Sequence, residues 1–506
     1  MGRTPDRGGL PRFRNSGYDL KMSPRLRLVI AGTIGSILAV VGAIDIADER
    51  LGFVALIAIC AFWVFFQWRA GAPPEAWIMA VVIFGYIVGN RGFAQFLFSP
   101  RVPLLPAEAA LLFCTVGLGI RATISKTSII VFDAVNLSIL LWAVYATLRL
   151  PLDLNTYGIM ALRDYALVYY SVFFFLGQYL CRDPSSARLI DLAFTVSFLV
   201  LPIVVIIDKI SPGFFAQNLK WDGTPLIYHK SDLISASLIC GSFWSWSRFE
   251  RSKRRFWLFS SAVSLLLVGI EESPRAALVA AAVATIAWAS VRRFRLIGFQ
   301  IAVVAVGIAV SLPLEIISGT QLAESKSYEM FERVVSLVDW SGSHAYQNAE
   351  SANTIDNNQF RRVWWNAVVA ETVAGNPVFG LGFGYDLAAR FLADYNWLSV
   401  EEEFTTRSPH SVIVTNFGRL GGLGLGLFLL GAAMAARSGI RAFRITDFEA
   451  MAWWSVVIIL GVSACFGVVL EAPMGAVVFW VALGFAHQKT SAAKGAMPEL
   501  GARDDS

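Results

Sequence analysis

The sequence predicts an all-α polytopic membrane protein with about 12–14 transmembrane helices and one large helical periplasmic loop. Three observations predict it. Hydrophobic residues make up 56% of the 506 residues and charged residues 16%, whereas soluble globular chains average about 45–50% and about 25%. The apolar residues are gathered into runs of membrane-spanning length. A single long polar stretch, Pro313 to His410, interrupts them.

Taken in order, residues 1–26 read as a polar cytoplasmic tail. Arg12, Arg14, Lys21, Arg25 and Arg27 precede the first apolar run. Because many further runs follow, that run reads as an uncleaved first span rather than a secretory signal. Spans are placed near 28–47, 51–68, 75–94, 104–123, 128–149, 159–181, 187–209, 232–248, 256–270, 275–291, 296–313, 411–434, 450–469 and 472–487, each close to the roughly 20 apolar residues that cross a bilayer. The 16 Trp and 37 Phe suit lipid-facing surfaces and interfacial belts. The domain organisation is then tail 1–26, membrane domain 27–313, loop domain 314–410, last helices 411–487 and tail 488–506.

Charge placement orients the chain. With the N-terminus inside, Arg182, Arg188, the run from Arg248 to Arg255, Arg292 to Arg295, Arg437 to Arg444, Lys489 and Lys494 all fall on the cytoplasmic side. The opposite connections, 45–49, 151–157, 211–230, 271–274 and Glu471, are poor in Lys and Arg, which places the long loop outside. The net charge of +5 hides an acidic loop on a basic remainder. An acidic outer domain makes nucleic acid an unsuitable partner. All five cysteines, Cys60, Cys114, Cys181, Cys240 and Cys465, lie in or beside apolar runs, so neither a disulfide framework nor a zinc site is expected.

Within the loop, Gln321 to Trp340 has helical spacing and reads as a helix on the membrane surface. Ser341 to Asn358 reads as a mobile linker, and Gln359 to Ala374 as a second helix stopped by Gly375, Asn376 and Pro377. Gly380, Gly382 and Gly384 make a tight turn before a short helix over 385–398. That turn lacks the Lys-Ser/Thr of a phosphate loop, so nucleotide binding is not expected.

Several residues are candidates for chemistry. Arg275 opens a span at the outer mouth of the membrane, where ionisable groups are costly and tend to be functional; a snorkelling Arg, or one paired with Glu271 or Glu272, is the plainer alternative. Arg361 and Arg362 sit at the predicted start of the second loop helix. Cations are disfavoured at that end by the helix dipole, so two of them suggest an anionic partner; pairing with the loop's acids is the alternative. His410 lies where the loop re-enters the membrane, and a neutral imidazole can serve as a general base. His229, Lys230 and Asp232 lie where an earlier outer connection returns to the bilayer and could line the same cavity; a polar loop end is the plainer alternative. Arg163 and Asp164, inside a predicted span, suit either a local ion pair or a substrate contact. His344 and His487 read as incidental.

Arg361 with Trp365 and Ala367, then Pro377 to Gly384, then Pro409 and His410 entering the Gly-rich span 418–426, together resemble the O-antigen ligase and polysaccharide polymerase superfamily of bacterial envelope enzymes. The pair Arg163 and Asp164 and the run Ser273 to Ala276 also look like family features. Pro274 stands before Arg275 where the family carries a small residue.

The resemblance implies a glycosyltransferase of the bacterial inner membrane, with both termini cytoplasmic and a periplasmic active site. It would move glycan from a polyprenyl diphosphate carrier to an acceptor hydroxyl, using no cofactor and no metal. Arg275, Arg361 and Arg362 would hold the diphosphate in a metal's place, His410 would take the acceptor proton, and the product would be inverted. The acceptor is a carrier-linked repeat in a polymerase, or lipid A-core in a ligase. The length of the chain and the size of its loop favour the polymerase. Membrane lipid and a chain-length regulator are candidate partners. A transporter or flippase would also suit many spans, but the two halves show no internal repeat of the kind transporters carry.

Overall fold

Helices dominate the computed structural model, which describes residues 71–97, 105–221, 223–271, 275–317, 328, 332, 349–394 and 407–496. Contacts divide the chain into two units, residues 1–70 with 123–127 and residues 71–122 with 128–506. Of the first, only 123–127 is described: the last turn of a helix and the turn leaving it, with Lys126 at φ 53°. The predicted spans at 28–47 and 51–68, the surface helix 321–340 (apart from Tyr328 and Glu332) and His344 lie outside the described residues.

The helices follow the apolar runs closely. They are α1 (Pro74–Phe84), extended by a π turn over Gly85–Gly89; α2 (Arg91–Ala94); α3 (Pro106–Ser125); α4 (Ala134–Tyr157); α5 (Ile159–Asp164); α6 (Ala166–Tyr169); α7 (Val172–Arg182); and α8 (Pro184–Ile210). Then come α9 (Phe214–Asn218), a hairpin of β1 (Lys220–Trp221) and β2 (Thr224–Pro225), α10 (Ser231–Ser252), α11 (Arg255–Val268), α12 (Arg275–Ser290) and α13 (Arg295–Ile317). The loop contributes α14 (Ala349–Gly375) and α15 (Ala389–Asp394), and the chain closes with α16 (Val412–Ile445), α17 (Phe448–Ala464) and α18 (Pro473–Ala496). Among the described residues, Pro106–Ser125, Ala134–Tyr157, Ile159–Arg182, Pro184–Ile210 and Val412–Ile445 are long and apolar enough to cross a membrane. The described residues are overwhelmingly helical with almost no strand, consistent with an all-α membrane protein whose backbone groups are satisfied inside helices.

Local chemistry sets the helix starts. Asp133 accepts from the amides of Val135 and Asn136, and Asp183, followed by Pro184, accepts from the amide of Ser186; both are side-chain N-caps. The core is aromatic. Trp453 packs against Phe194, Trp244 and Phe485 at centroid separations of 4.7, 4.8 and 4.7 Å. Small residues let α7 and α18 approach: a Cβ added to Gly484 would lie 2.4 Å from the Phe174 carbonyl, the close backbone contact that membrane helices favour.

Two sequence expectations are corrected. Residues 151–157 are not a connection; α4 continues through Pro151 to Tyr157 and stops at Gly158, φ 61°. The linker expected over 341–358 is helical from Ala349 onward, because α14 begins there. Arg361 and Arg362 therefore lie well inside α14, and the dipole argument for their position fails. Among the described residues, the segment 211–230 carries a short hairpin, in which Trp221 pairs with Thr224.

Candidate functional site at the end of the loop

The site is built on a broken helix. In α16, Gly421 has φ 66° and ψ −166°, a conformation essentially confined to glycine. Backbone groups released by the break are taken up by the loop segment after α14. Gly422 N donates to Pro377 O (2.8 Å) and Leu423 N to Val378 O (3.2 Å), while Leu381 N donates to Gly418 O (2.7 Å) and Gly382 N to Arg419 O (3.1 Å). Only glycines fit here: a Cβ on Gly421 would lie 2.3 Å from Val378 O, and one on Gly380 2.4 Å from Gly421 N. The expected tight turn is present, with positive φ at Gly380, Gly382 and Gly384. It plugs a gap in a membrane helix, where unmet backbone groups are costly.

Two buried ion pairs hold the plug. Arg419 Nη1 lies 2.7 Å from Asp164 Oδ2, with the two side chains only 2% and 8% exposed, and Asp164 also accepts from Gly384 N at 3.0 Å. Arg149 pairs with Asp153 at 3.1 Å and donates to Gly380 O, while Asp153 accepts from Phe383 N. Asp164 therefore pairs across the molecule, not with Arg163, which is exposed. The local pair expected of Arg163 and Asp164 is thus replaced by the pair of Asp164 with Arg419. Arg419 was missed because it sits in an apolar Gly-rich run; an isolated Arg inside a predicted span was the signal that could have found it.

His410 is held at the far end of the loop by backbone and side-chain contacts. Its φ is 55°. Trp365 Nε1 donates to Pro409 O at 2.6 Å, and the His410 and Trp364 rings are 5.9 Å apart. Arg361 shares this face of α14 with Trp364 and Trp365, at the three- and four-residue spacings that place side chains together on a helix. Ser408 hydrogen-bonds Glu471, and Thr415 donates to Glu471 Oε1 at 2.9 Å. Burial pushes the Glu471 carboxyl up. Glu471 was passed over in the sequence as a lone acid in a short connection.

Charges meet at the imidazole. Burial first, then Lys230 and Arg361, push His410 down to about 4, with Asp232 acting the other way. His410 is therefore neutral near pH 7. Lys230 Nζ lies 3.6 Å from Asp232 Oδ2. The guanidinium of Arg361 is itself lowered by burial, and its Nε is buried with no hydrogen-bond partner among the described residues. So the structure brings His410, Arg361, Lys230 and Asp232 together. His229 is a clip instead: its Nε2 lies 3.1 Å from Val88 O, and since a carbonyl only accepts, that nitrogen carries the proton. Beside it, Lys230 N donates to Asn90 Oδ1 at 3.2 Å.

Arg362, next to Arg361 on α14, is exposed. Arg275 opens α12 half-buried, and neighbouring Glu271 pairs with Lys209 at 3.5 Å. Among the described residues no group of three or more His, Cys, Asp or Glu side chains is placed to hold a metal ion.

Beside the site, α4, α12, α16, α17 and α18 line an open apolar cavity of about 760 Å³. Its lining runs from Val412 and Ile413, next to His410, past Trp142, Phe428 and Trp454 to Arg444 near the other end of α16. No protein-family model matches the chain, and no curated protein matches it.

Proposed function

We propose that this protein is a glycosyltransferase that takes glycan from a polyprenyl diphosphate carrier and joins it to an acceptor hydroxyl, acting as a polysaccharide polymerase on the outer face of the bacterial inner membrane. One observation carries the reading: a half-buried, neutral His410 lies within electrostatic reach of two cations, Arg361 and Lys230, and Arg361 holds a buried donor with no hydrogen-bond partner among the described residues. That set suits a proton acceptor beside an anion. A diphosphate satisfies the Arg361 donor, since guanidinium pairs well with phosphate oxygens.

In this reading the acceptor O–H gives its proton to the free imidazole nitrogen of His410 while its oxygen attacks the anomeric carbon. The bond from that carbon to the diphosphate oxygen breaks, and polyprenyl diphosphate leaves with the electron pair, stabilised by Arg361 and Lys230. Attack from the side opposite the leaving group inverts the anomeric centre. Bound diphosphate also offsets the two cations, which makes His410 more basic when the donor is in place. The apolar cavity beside the site accepts the carrier's hydrocarbon tail. The role of Arg275 in diphosphate binding rests on the family resemblance alone.

Glycan analysis of a deletion strain tests the reading. A single repeat unit left on lipid A-core marks a polymerase. Bare core with carrier-linked chains marks a ligase, and unchanged long-chain glycan contradicts both. Restoring the gene as Arg275→Ala or His410→Ala should leave long-chain glycan absent while the protein still reaches the membrane.

A further inference from the structure

We infer that the turn between α10 and α11 forms a binding site for an anionic phospholipid, on the membrane face opposite His410. The distance follows from the helix. Lys230 precedes α10 and Lys253 follows it, and the 22 residues between span about 33 Å at 1.5 Å per residue, which is about one hydrocarbon thickness.

Between α11 and α13 at that end lies a cavity of about 550 Å³. Its rim carries Lys253 and Arg255, and its walls are Phe249, Leu258, Phe259 and Phe299. Phe259 is 69% exposed, so the wall is open to whatever lies beside the helices. The cations of this turn are unequally satisfied. Arg248 pairs with Asp191, Arg251 with Glu449 and Lys253 with Glu250. Arg254 and Arg255 have no carboxylate partner among the described residues. Arg295, one helical turn before Phe299, adds a further cation to the same face.

Charge and surface together select the occupant. Basic pockets between membrane helices take phosphate headgroups, and the aromatic wall suits an acyl chain. A free phosphate would leave that wall unused. A zwitterionic lipid would bring a positive group towards Arg254 and Arg255. The dipole at the start of α11, which no side chain caps, adds to the attraction for a negative headgroup.

Native mass spectrometry of the purified full chain is the test. The protein is offered equal amounts of phosphatidylglycerol and phosphatidylcholine with identical acyl chains. Preferential retention of phosphatidylglycerol is expected, and removing two charges in the Arg254→Gln/Arg255→Gln variant should weaken that binding about 30-fold. The exposed Arg437→Gln control should keep it. Inorganic phosphate should not displace the lipid. Equal retention of the two lipids, an undiminished preference in the double variant, or displacement by inorganic phosphate would each overturn the site. If the double variant does not fold, wild-type protein decides the matter with phosphatidylglycerol carrying a photoreactive group on its acyl chain. Cross-links at 249–262 and 299 support the site, and cross-links confined to other helices refute it.

Discussion

At the scale of single residues, protonation of His410 is the property most open to measurement. A base must be unprotonated to act, and the folded imidazole is held down at about 4. The acid limb of kcat/KM, which reports the free enzyme, should therefore fall near pH 4, with activity lost as the pH drops through that value. Removing either cation makes the imidazolium less unfavourable, so in Arg361→Ala or Lys230→Ala the limb should move to higher pH. It should stay below the ordinary value of 6.5 because burial, the largest cause, remains. A limb that does not move in either variant would remove these cations from the site. The residues found from sequence alone were those whose neighbours are close along the chain or whose position was already unusual. Arg361 and Trp365 share a helix face by spacing, and His410 follows the only long polar stretch. Arg163 and Asp164 were misread together because adjacency suggested a local pair, whereas Asp164 reaches Arg419 in a distant helix. No local pattern encodes such a partner. Breaking this buried pair leaves one charge uncompensated, so Arg419→Ala should cost about 3–5 kcal/mol in unfolding free energy. In a double-mutant cycle with Asp164→Ala the losses should be less than additive.

At the scale of elements, the plugged break in α16 is the device that places the site. The loop turn over 377–384 and the helix interior exchange backbone hydrogen bonds, so the loop's far end is fixed to the membrane domain. The sequence showed the glycines but not their use. A Gly-rich membrane run reads equally well as a close-packing face, and only the φ of Gly421 separates the two. Gly421→Ala and Gly380→Ala should each lower the yield of folded protein in detergent, because a Cβ meets backbone at 2.3 and 2.4 Å. Gly426→Ala, in the same helix with open space around it, should instead be neutral or stabilise by about 0.5–1 kcal/mol. Size-exclusion profiles and thermal unfolding of the three variants would show the contrast, and equal behaviour would refute the plug. The start of α14 at Ala349 shows the opposite failing of sequence reading. Polar residues from 349 to 358 looked like a linker, yet polarity alone does not forbid a helix that continues into a packed segment.

For the whole molecule, the account requires a chain that crosses the membrane and separates two chemistries. Apolar run length made nearly every described helix legible, since the bilayer fixes that length physically. The distribution of Lys and Arg supports the proposed orientation. An exposed cysteine introduced as Lys220→Cys should react with a membrane-impermeant reagent from outside intact spheroplasts, and Arg254→Cys only after permeabilisation. The reverse pattern would invert the topology and put His410 on the wrong face. The central claim, that His410 is the base of a glycosyl transfer, is tested by purified protein supplied with a polyprenyl diphosphate-linked glycan and its acceptor. His410→Asn is the variant of choice, because Asn tolerates the left-handed backbone at this position. The wild type should form the new glycosidic bond, and His410→Asn should slow it by about 10²–10⁴-fold with thermal unfolding unchanged. Transfer by the variant at the wild-type rate would contradict the account.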